Sequence, residues 1–236
     1  MEESFRNDNL MDAYVNHPPI RVILTGATGM VGEGVLHECL LSPEVEAVFV
    51  VSRKPCGVLH PRLREILHTD FFDLSAIESQ LSGYNACFFC LGVSSIGVKK
   101  EMFEKLTYTL TLGFASVLSR HNPGMVFCYI SGAGTDSTEK GRIHWARVKG
   151  KTENDLQKLP FKQVYLFRPG IIKPTKGLKN TLSYYRWVGW LLPIIRALLP
   201  KYINSLPELG QAMIHTATRG YSKRVIEVQD IRILSK

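Results

Sequence analysis

The sequence holds no apolar run long enough to read as a membrane span. The uncharged stretch from Trp187 to Ile195 stops well short of the roughly twenty residues a bilayer crossing needs, and Pro193 interrupts it. A secretory leader is not expected either, because residues 1–19, MEESFRNDNLMDAYVNHPP, are acidic and polar with no apolar h-region. Cysteine is scarce: the five residues Cys39, Cys56, Cys87, Cys90 and Cys128 make an odd count. That argues against a disulfide framework and for free thiols in a reducing, cytoplasmic setting. Cys87 and Cys90 have C-x-x-C spacing but lie inside the apolar run ACFFCLG, and strand positions three apart face opposite sides. They read as core residues. No second Cys/His cluster completes a zinc site, so no metal is expected. Acidic residues are missing from one long stretch. Between Lys173 and Pro207 stand six basic residues, Lys173, Lys176, Lys179, Arg186, Arg196 and Lys201, with no carboxylate, so this stretch carries most of the net charge of +8. The charges share no nucleic-acid reading motif, and nucleic acid is not an expected partner.

What is present is an alternation. After the arm of residues 1–19, RVILTGATGMVGEGVLHECLL gives an apolar strand, a glycine turn and a helix. EAVFVVSRK, REILHTDFFDL and NACFFCLG read as three further strands, and EMFEKLTYTLTLGFASVLSRH has a helical period. GMVFCYISGAG is a fifth strand entering a loop, WARVKGKTENDLQKL a helix, and FKQVYLFRPGII a sixth strand. Continuous apolar strands between helices mean a parallel sheet covered on both faces. The expectation is therefore an α/β, doubly wound parallel Rossmann sheet over residues 20–236. Residues 173–236 form a small C-terminal extension that shapes a substrate pocket and contains a helix, SLPELGQAMIHTATRG, and a strand, RVIEVQDI.

The turn TGATGMVG places Gly26, Gly29 and Gly32 between a strand and a helix. Gly26 allows the tight turn, Gly29 lets backbone amides approach a pyrophosphate, and Gly32 lets the helix pack close to the strand. The helix N-terminus adds free N–H donors and partial positive charge. Such a fingerprint in this context reads as nucleotide binding. An NAD site wants a carboxylate at the C-terminal end of the second strand, to bind the ribose 2′-hydroxyl. Glu46 lies at the wrong end of that strand, and the right end reads Ser52-Arg53-Lys54, whose cations suit a 2′-phosphate. NADP(H) is favoured over NAD(H). Asp70 and Phe71, at the end of the third strand, stand where an adenine edge would lie, and a carboxylate there can accept from the adenine amino group.

At this point the chain resembles the atypical and extended short-chain dehydrogenase/reductases, nearest to the Tat-interacting-protein type of NADP-binding oxidoreductase and to small NAD(P)-dependent epimerase/dehydratases. The likeness covers about residues 20–175. It rests on GATGMVG, the SRK turn, HTDFFDL, CLG at 90–92, YISGAG at 129–134, VKGKTE at 148–153 and LFRPGII at 166–172. The resemblance implies a cofactor site from Gly26, Thr28, Gly29, Met30, Val31 and Gly32, then Ser52, Arg53, Lys54, Asp70, Phe71, Leu91 and Gly92. It implies that Ser131 orients a substrate carbonyl or hydroxyl, that Lys149 binds the nicotinamide ribose, and that Pro169, Ile171 and Ile172 lie beside the nicotinamide. It also implies a tyrosine four residues before Lys149, acting as general acid/base. Trp145 stands there, and an indole N–H does not usefully exchange its proton near neutral pH. None of the nine tyrosines has lysine at the fourth position after it. His144 is adjacent but points about 140° away from Lys149 on a helix. Tyr108, on the preceding helix, is another candidate donor.

Two answers follow: an NADP-dependent oxidoreductase with a relocated proton donor, acting on an apolar substrate, or a non-catalytic NADPH-binding regulator. The aromatic, basic run YYRWVGWLLPIIRALLP at 184–200 suits three uses: a substrate pocket or core, a peripheral membrane contact, or a protein contact. The oligomeric state is not legible.

Overall fold

Most of the apolar runs before residue 173 become buried strands of one sheet. The computed structural model describes residues 18–180 and 202–236. The arm up to residue 17 and the whole aromatic, basic run at 184–200 lie outside the described residues. The chain begins with β1 (Ile20–Thr25), α1 (Met30–Leu41), β2 (Val45–Ser52), β3 (Leu63–Leu67) and β4 (Ala86–Phe89). A short helix α2 (Lys100–Glu104) runs through a π-helical turn (Lys105–Thr109) into α3 (Leu110–His121). Then follow β5 (Val126–Ile130), α4 (His144–Leu156), β6 (Gln163–Arg168), β7 (Ile171–Lys173), β8 (Ile203–Ser205), α5 (Leu206–Arg219), β9 (Val225–Glu227) and α6 (Val228–Leu234).

The described residues form a seven-stranded sheet in the order β3-β2-β1-β4-β5-β6-β9, parallel throughout, with β7 and β8 paired separately. This is the expected doubly wound Rossmann sheet. The order reverses between β1 and β4, and in open α/β sheets ligands bind outside the carboxyl ends of the strands at such a point. The strands alternate their side chains between two apolar layers. Val22, Leu24, Phe88 and Cys128 enter the layer that includes Val35, Leu206 and Met213 of α1 and α5, while Ile23, Cys87, Phe89 and Phe127 enter the layer that includes Phe114 and Leu118 of α3. Cys87 belongs to the second layer and Cys90 packs against the first, so the C-x-x-C pair is split across the sheet. All five cysteines are free.

Three elements differ from the sequence reading. The run FKQVYLFRPGII, read as one strand, divides at Pro169-Gly170 into β6 and the separately paired β7. The third strand stops at Leu67 instead of running to Phe71. The His68 ring Nε2 lies 2.6 Å from the Asp70 carbonyl and 2.7 Å from the Asp73 carbonyl, and Asp70 Oδ1 accepts from the Phe72 amide at 2.9 Å. These local bonds curl the chain out of the sheet. The final apolar run, read as a strand, turns helical after Glu227. Glu227 and Asp230 form a reciprocal capping box that starts α6.

Candidate functional site

Three glycines close the switch point. Gly26 has φ +77°, and a Cβ there would lie 2.6 Å from the Cys90 carbonyl oxygen, so β1 and β4 meet at this residue without room for a side chain. A Cβ on Gly32 would lie 2.0 Å from the Gly26 carbonyl oxygen, so α1 rests directly on the turn. Gly29 is the N-cap of α1, and no atom comes nearer to a Cβ there than 3.4 Å, which leaves its outer side open. Met30 and Val31 stand in the first helical turn, whose amides have no partner inside the helix. The Leu91 amide donates to Thr25 Oγ1 at 3.3 Å and ties the end of β4 to β1.

Two cavities flank this turn, and Arg53 lines both. The first, about 280 Å³, is bounded by Arg53, Thr69, Asp70, Phe71, Phe72, Leu91, Gly92, Val93, Leu106 and Leu110. Its walls are largely apolar, and a Cβ on Gly92 would meet nothing within 4 Å. The second, about 700 Å³, is bounded by Thr28, Arg53, Lys54, Pro55, Cys56, Gly57, Lys179 and Asn180. No carboxylate is among those eight. Of the positions named from sequence, Thr28, Arg53, Lys54, Asp70, Phe71, Leu91 and Gly92 line these cavities. Ser52 does not. It is buried, and its Oγ lies 2.7 Å from the Lys54 carbonyl and 3.0 Å from Glu65 Oε1. That carboxylate also accepts from the Cys56 amide at 2.9 Å, so Ser52 and Glu65 shape the loop that presents Arg53 and Lys54. Phe71 is chiefly a core residue, stacked on Phe114 at 5.9 Å.

The sequence reading missed Leu106 and Leu110. Leu106 lies inside the π-helical turn and Leu110 directly follows it, and the register of that turn differs from that of an α-helix. Thr107 in the same turn is buried, with no hydrogen-bond partner for its hydroxyl.

The other residues singled out from sequence gather at the ends of β5 and β6 under α4. Lys149 Nζ donates to the Ser131 carbonyl at 2.5 Å. Burial pulls its pKa down to about 8, while Glu153 one turn later acts to raise it. Ser131 Oγ donates to Glu153 Oε1 at 2.5 Å and also lies 3.1 Å from the Phe167 carbonyl. The serine hydroxyl, expected to orient a substrate, thus donates its hydrogen bond to a protein carboxylate. Glu153 is 1% exposed and is paired with Arg168, whose Nε donates to the same Oε1 at 3.0 Å and whose Nη2 reaches Oε2. Arg168 also contacts Ser137 Oγ at 2.5 Å and Glu227 at 3.3 Å. Gly150 makes this packing possible, since a Cβ there would lie 1.8 Å from the Asp136 carbonyl oxygen. Neither Glu153 nor Arg168 was named as a site residue. The available signal was a guanidinium at the end of an otherwise apolar strand, which demands a buried partner.

Trp145 sits one turn before Lys149, half-buried, with the edge of its indole against Gly134. His144 turns toward Phe103, ring centroids 6.2 Å apart. Tyr108 donates its hydroxyl to Asp155 Oδ2 at 2.8 Å, with Lys151 Nζ 4.3 Å from its ring centroid. Asp155 pushes the Tyr108 pKa up to about 12, so this tyrosine holds its proton more firmly than usual. Beyond β6, the Pro169 carbonyl accepts from Ala133 at 2.9 Å. Ile172 is buried and Ile171 is exposed above the sheet.

No family model matches the chain. Among curated proteins it is similar to the protein fmp52, mitochondrial, of Emericella nidulans, 29% identical over 161 residues, and to its namesake in Aspergillus clavatus, 30% identical over 161 residues. In both cases the match covers 64% of this chain, and the chain spans 66% of the relative, just under two thirds. The leucinostatins biosynthesis cluster protein T of Purpureocillium lilacinum is 24% identical over 227 residues, 82% of this chain and 83% of that one. Among solved structures, a Helicobacter pylori ADP-L-glycero-D-manno-heptose-6-epimerase superposes with a TM-score of 0.66 at 14% identity, over 94% of this chain and 84% of that one. L-Sorbose reductase from Gluconobacter frateurii, complexed with NADPH and L-sorbose, gives 0.57 at 14% identity, over 89% and 94%. The Bordetella bronchiseptica enzyme WbmF, in complex with NAD+, gives 0.62 at 16% identity, over 94% and 78%. Identities this low show a common fold. The fmp52 proteins are named mitochondrial, and this overturns the cytoplasmic expectation. Among the described residues no helix is long and apolar enough to cross a membrane.

Proposed function

We propose, for a chain with the Rossmann fold of the NAD(P)-binding short-chain dehydrogenase/reductases and epimerase/dehydratases, that it binds NADP(H) and serves hydride transfer to or from a carbonyl or hydroxyl of an apolar small molecule. The names of its fmp52 relatives support a mitochondrial site of action. One observation carries the reading: Arg53 stands between an apolar cavity and a cationic one, both lined by residues that follow the carboxyl ends of strands next to the switch point. The donor set fits the cofactor. The apolar cavity suits an adenine, with Asp70 as acceptor for its amino group. The cavity with Arg53, Lys54 and Thr28 suits a 2′-phosphate, because it offers cations and a hydroxyl but no carboxylate to receive a bare ribose hydroxyl. Gly29, Met30 and Val31 would offer backbone amides to the pyrophosphate, Lys149 would hold the nicotinamide ribose, and Pro169, Ile171 and Ile172 would border the nicotinamide.

The bound cofactor supplies the hydride; the chain must hold the reactants and move a proton. Trp145 does not exchange one near neutrality, and Tyr108 is committed to Asp155. Lys149, with its pKa lowered to about 8, is the group of this cluster able to give or take a proton near neutral pH. We assign it that task beside its contact with the ribose.

The test is a titration of the protein with NADPH and NADH, followed by tryptophan fluorescence. Tight NADPH and weak NADH binding is the expected result. Arg53→Met should weaken NADPH roughly tenfold to a hundredfold, the range of one charge-assisted contact, and leave NADH unchanged. If neither nucleotide binds, the reading falls. A second reading, a non-catalytic NADPH-binding regulator, is favoured by Trp145 in the tyrosine position and by the Ser131 hydroxyl held on Glu153. The absence of cofactor turnover with any of a panel of apolar carbonyls, despite tight binding, would select it.

A further inference from the structure

The segment that follows β7 returns to the cofactor end of the sheet, and it does so by a specific anchor. Residues 174–180 cross the start of α1. There the backbone amides of Lys179 and Asn180 donate to the two carboxylate oxygens of Glu33, at 2.8 and 2.7 Å. Leu178, just before them, packs against the apolar layer under α1. A carboxylate in the first turn of a helix is ordinarily explained by the helix dipole. Here both its oxygens are turned to a chain segment more than a hundred residues away in sequence.

The anchor fixes where the Lys179 side chain goes. Lys179 lines the same cavity as Thr28, Arg53 and Lys54, and its Nζ lies 3.8 Å from the position of a Cβ on Gly57. Lys179, Arg53 and Lys54 have no carboxylate partner among the described residues. Three cations facing one cavity repel one another unless an anion sits between them. Two of the three come from the loop after β2. The third comes from the segment after β7, and Glu33 anchors it there.

We propose that Lys179 is a specificity-determining residue of the 2′-phosphate site and that Glu33 is its positioning residue. Recognition of NADP(H) over NAD(H) would then involve the segment after β7 as well as the loop after β2. The inference rests on the nucleotide reading above and adds a residue to it.

The test uses cofactor fragments, so it needs no turnover. Binding of 2′,5′-ADP and of 5′-AMP to the full chain is measured by calorimetry for the wild type, Lys179→Met, Lys179→Arg, Glu33→Gln and Arg53→Met. The wild type should bind 2′,5′-ADP more tightly. Lys179→Met should lose about tenfold on 2′,5′-ADP, consistent with one charge-assisted contact at a solvent-accessible site, and nothing on 5′-AMP. Lys179→Arg should retain most of the preference. Glu33→Gln should reduce the ratio of the two affinities by a smaller factor and speed hydrogen exchange at residues 178–180. If Arg53→Met lowers that ratio and Lys179→Met leaves it unchanged, the inference is overturned and the nucleotide reading stands. Equal weakening of both ligands by Lys179→Met also overturns it, because a site for the 2′-phosphate must discriminate. If the wild type binds neither fragment, the nucleotide reading itself has failed.

Discussion

The two halves of the sheet treat their polar groups in opposite ways. At the ends of β1, β2 and β4, Arg53, Lys54 and Lys179 border an open cavity and find no carboxylate among the residues that line it. At the ends of β5 and β6, Lys149, Ser131, Glu153 and Arg168 bond to one another in a chain from one element to the next. The first half leaves its charge to be matched from outside, which is what a binding site for an anion requires. The second half has matched Glu153 with Arg168 internally, and it holds α4 against the loop after β5. Binding and chemistry therefore make separate demands on this fold: a ligand completes the first half, while in the second a substrate must work around contacts already made.

The largest effect that would sharpen this contrast is on stability. Glu153 is 1% exposed and the Arg168 side chain 11%. Removing one partner of a buried ion pair leaves the other charge without compensation, at about 3–5 kcal/mol. Arg168→Met should therefore lower the denaturant midpoint steeply, and Ser131, on the same carboxylate, should lose its fixed position. Arg53→Met, at an exposed residue of the cofactor half, should leave the midpoint within about 0.5 kcal/mol of wild type while it impairs NADPH binding. Equal midpoints for the two variants would erase the distinction between the halves.

That contrast also explains what the sequence disclosed. The strands, the glycine turn and the Arg53-Lys54 pair are local patterns, and each is legible because a few neighbouring residues decide it. Gly26 and Gly32 belong to one turn, and their steric jobs follow from their spacing. The ion pair of Glu153 with Arg168 joins two elements, and the Glu33 anchor joins α1 to residues 179 and 180, so neither leaves a periodic trace. Two boundaries were missed for a related reason. The third strand ends early because the His68 ring and the Asp70 carboxylate take over local backbone groups, and the last strand ends early because Glu227 and Asp230 cap a helix. In both places polar side chains outweigh an apolar pattern. The location failed differently: nothing in the residues that were read carries the name its relatives bear.

A smaller effect tests the second half through pH. The folded-state pKa of Lys149 is about 8, below the roughly 10.4 of an unfolded lysine. Between those values this lysine binds more protons in the unfolded chain than in the folded one, so its own contribution to stability rises with pH, against the opposite contribution of the buried thiols Cys39, Cys87, Cys90 and Cys128, whose pKa values burial raises. The ammonium that meets the cofactor ribose is lost over the same rise, so NADPH affinity should fall as pH climbs through about 8. The lysine's share of the stability slope, read as wild type minus Lys149→Met, and the slope of affinity thus have opposite signs above that pH, measurable by denaturation and by fluorescence titration in the same buffers. Lys149→Met should flatten the affinity profile and let stability fall more steeply with pH. An affinity that stays level through about pH 8 in the wild type would mean that this ammonium does not meet the ligand.

The smallest change in structure bears most directly on the chemistry. Trp145 is half-buried with its indole edge against Gly134, so Trp145→Tyr should shift stability by less than about 1 kcal/mol and leave NADPH affinity unchanged. It places a phenol four residues before Lys149, on the same side of α4. If Lys149 already exchanges the proton, the phenol adds a redundant donor, and turnover on a panel of apolar carbonyls should change by less than about tenfold. A general acid that was missing is worth roughly 10²–10⁴-fold when restored. A gain of that size from an inactive wild type would show that the second half kept its frame and lost one proton, and would move the protein from the oxidoreductase reading to the regulatory one.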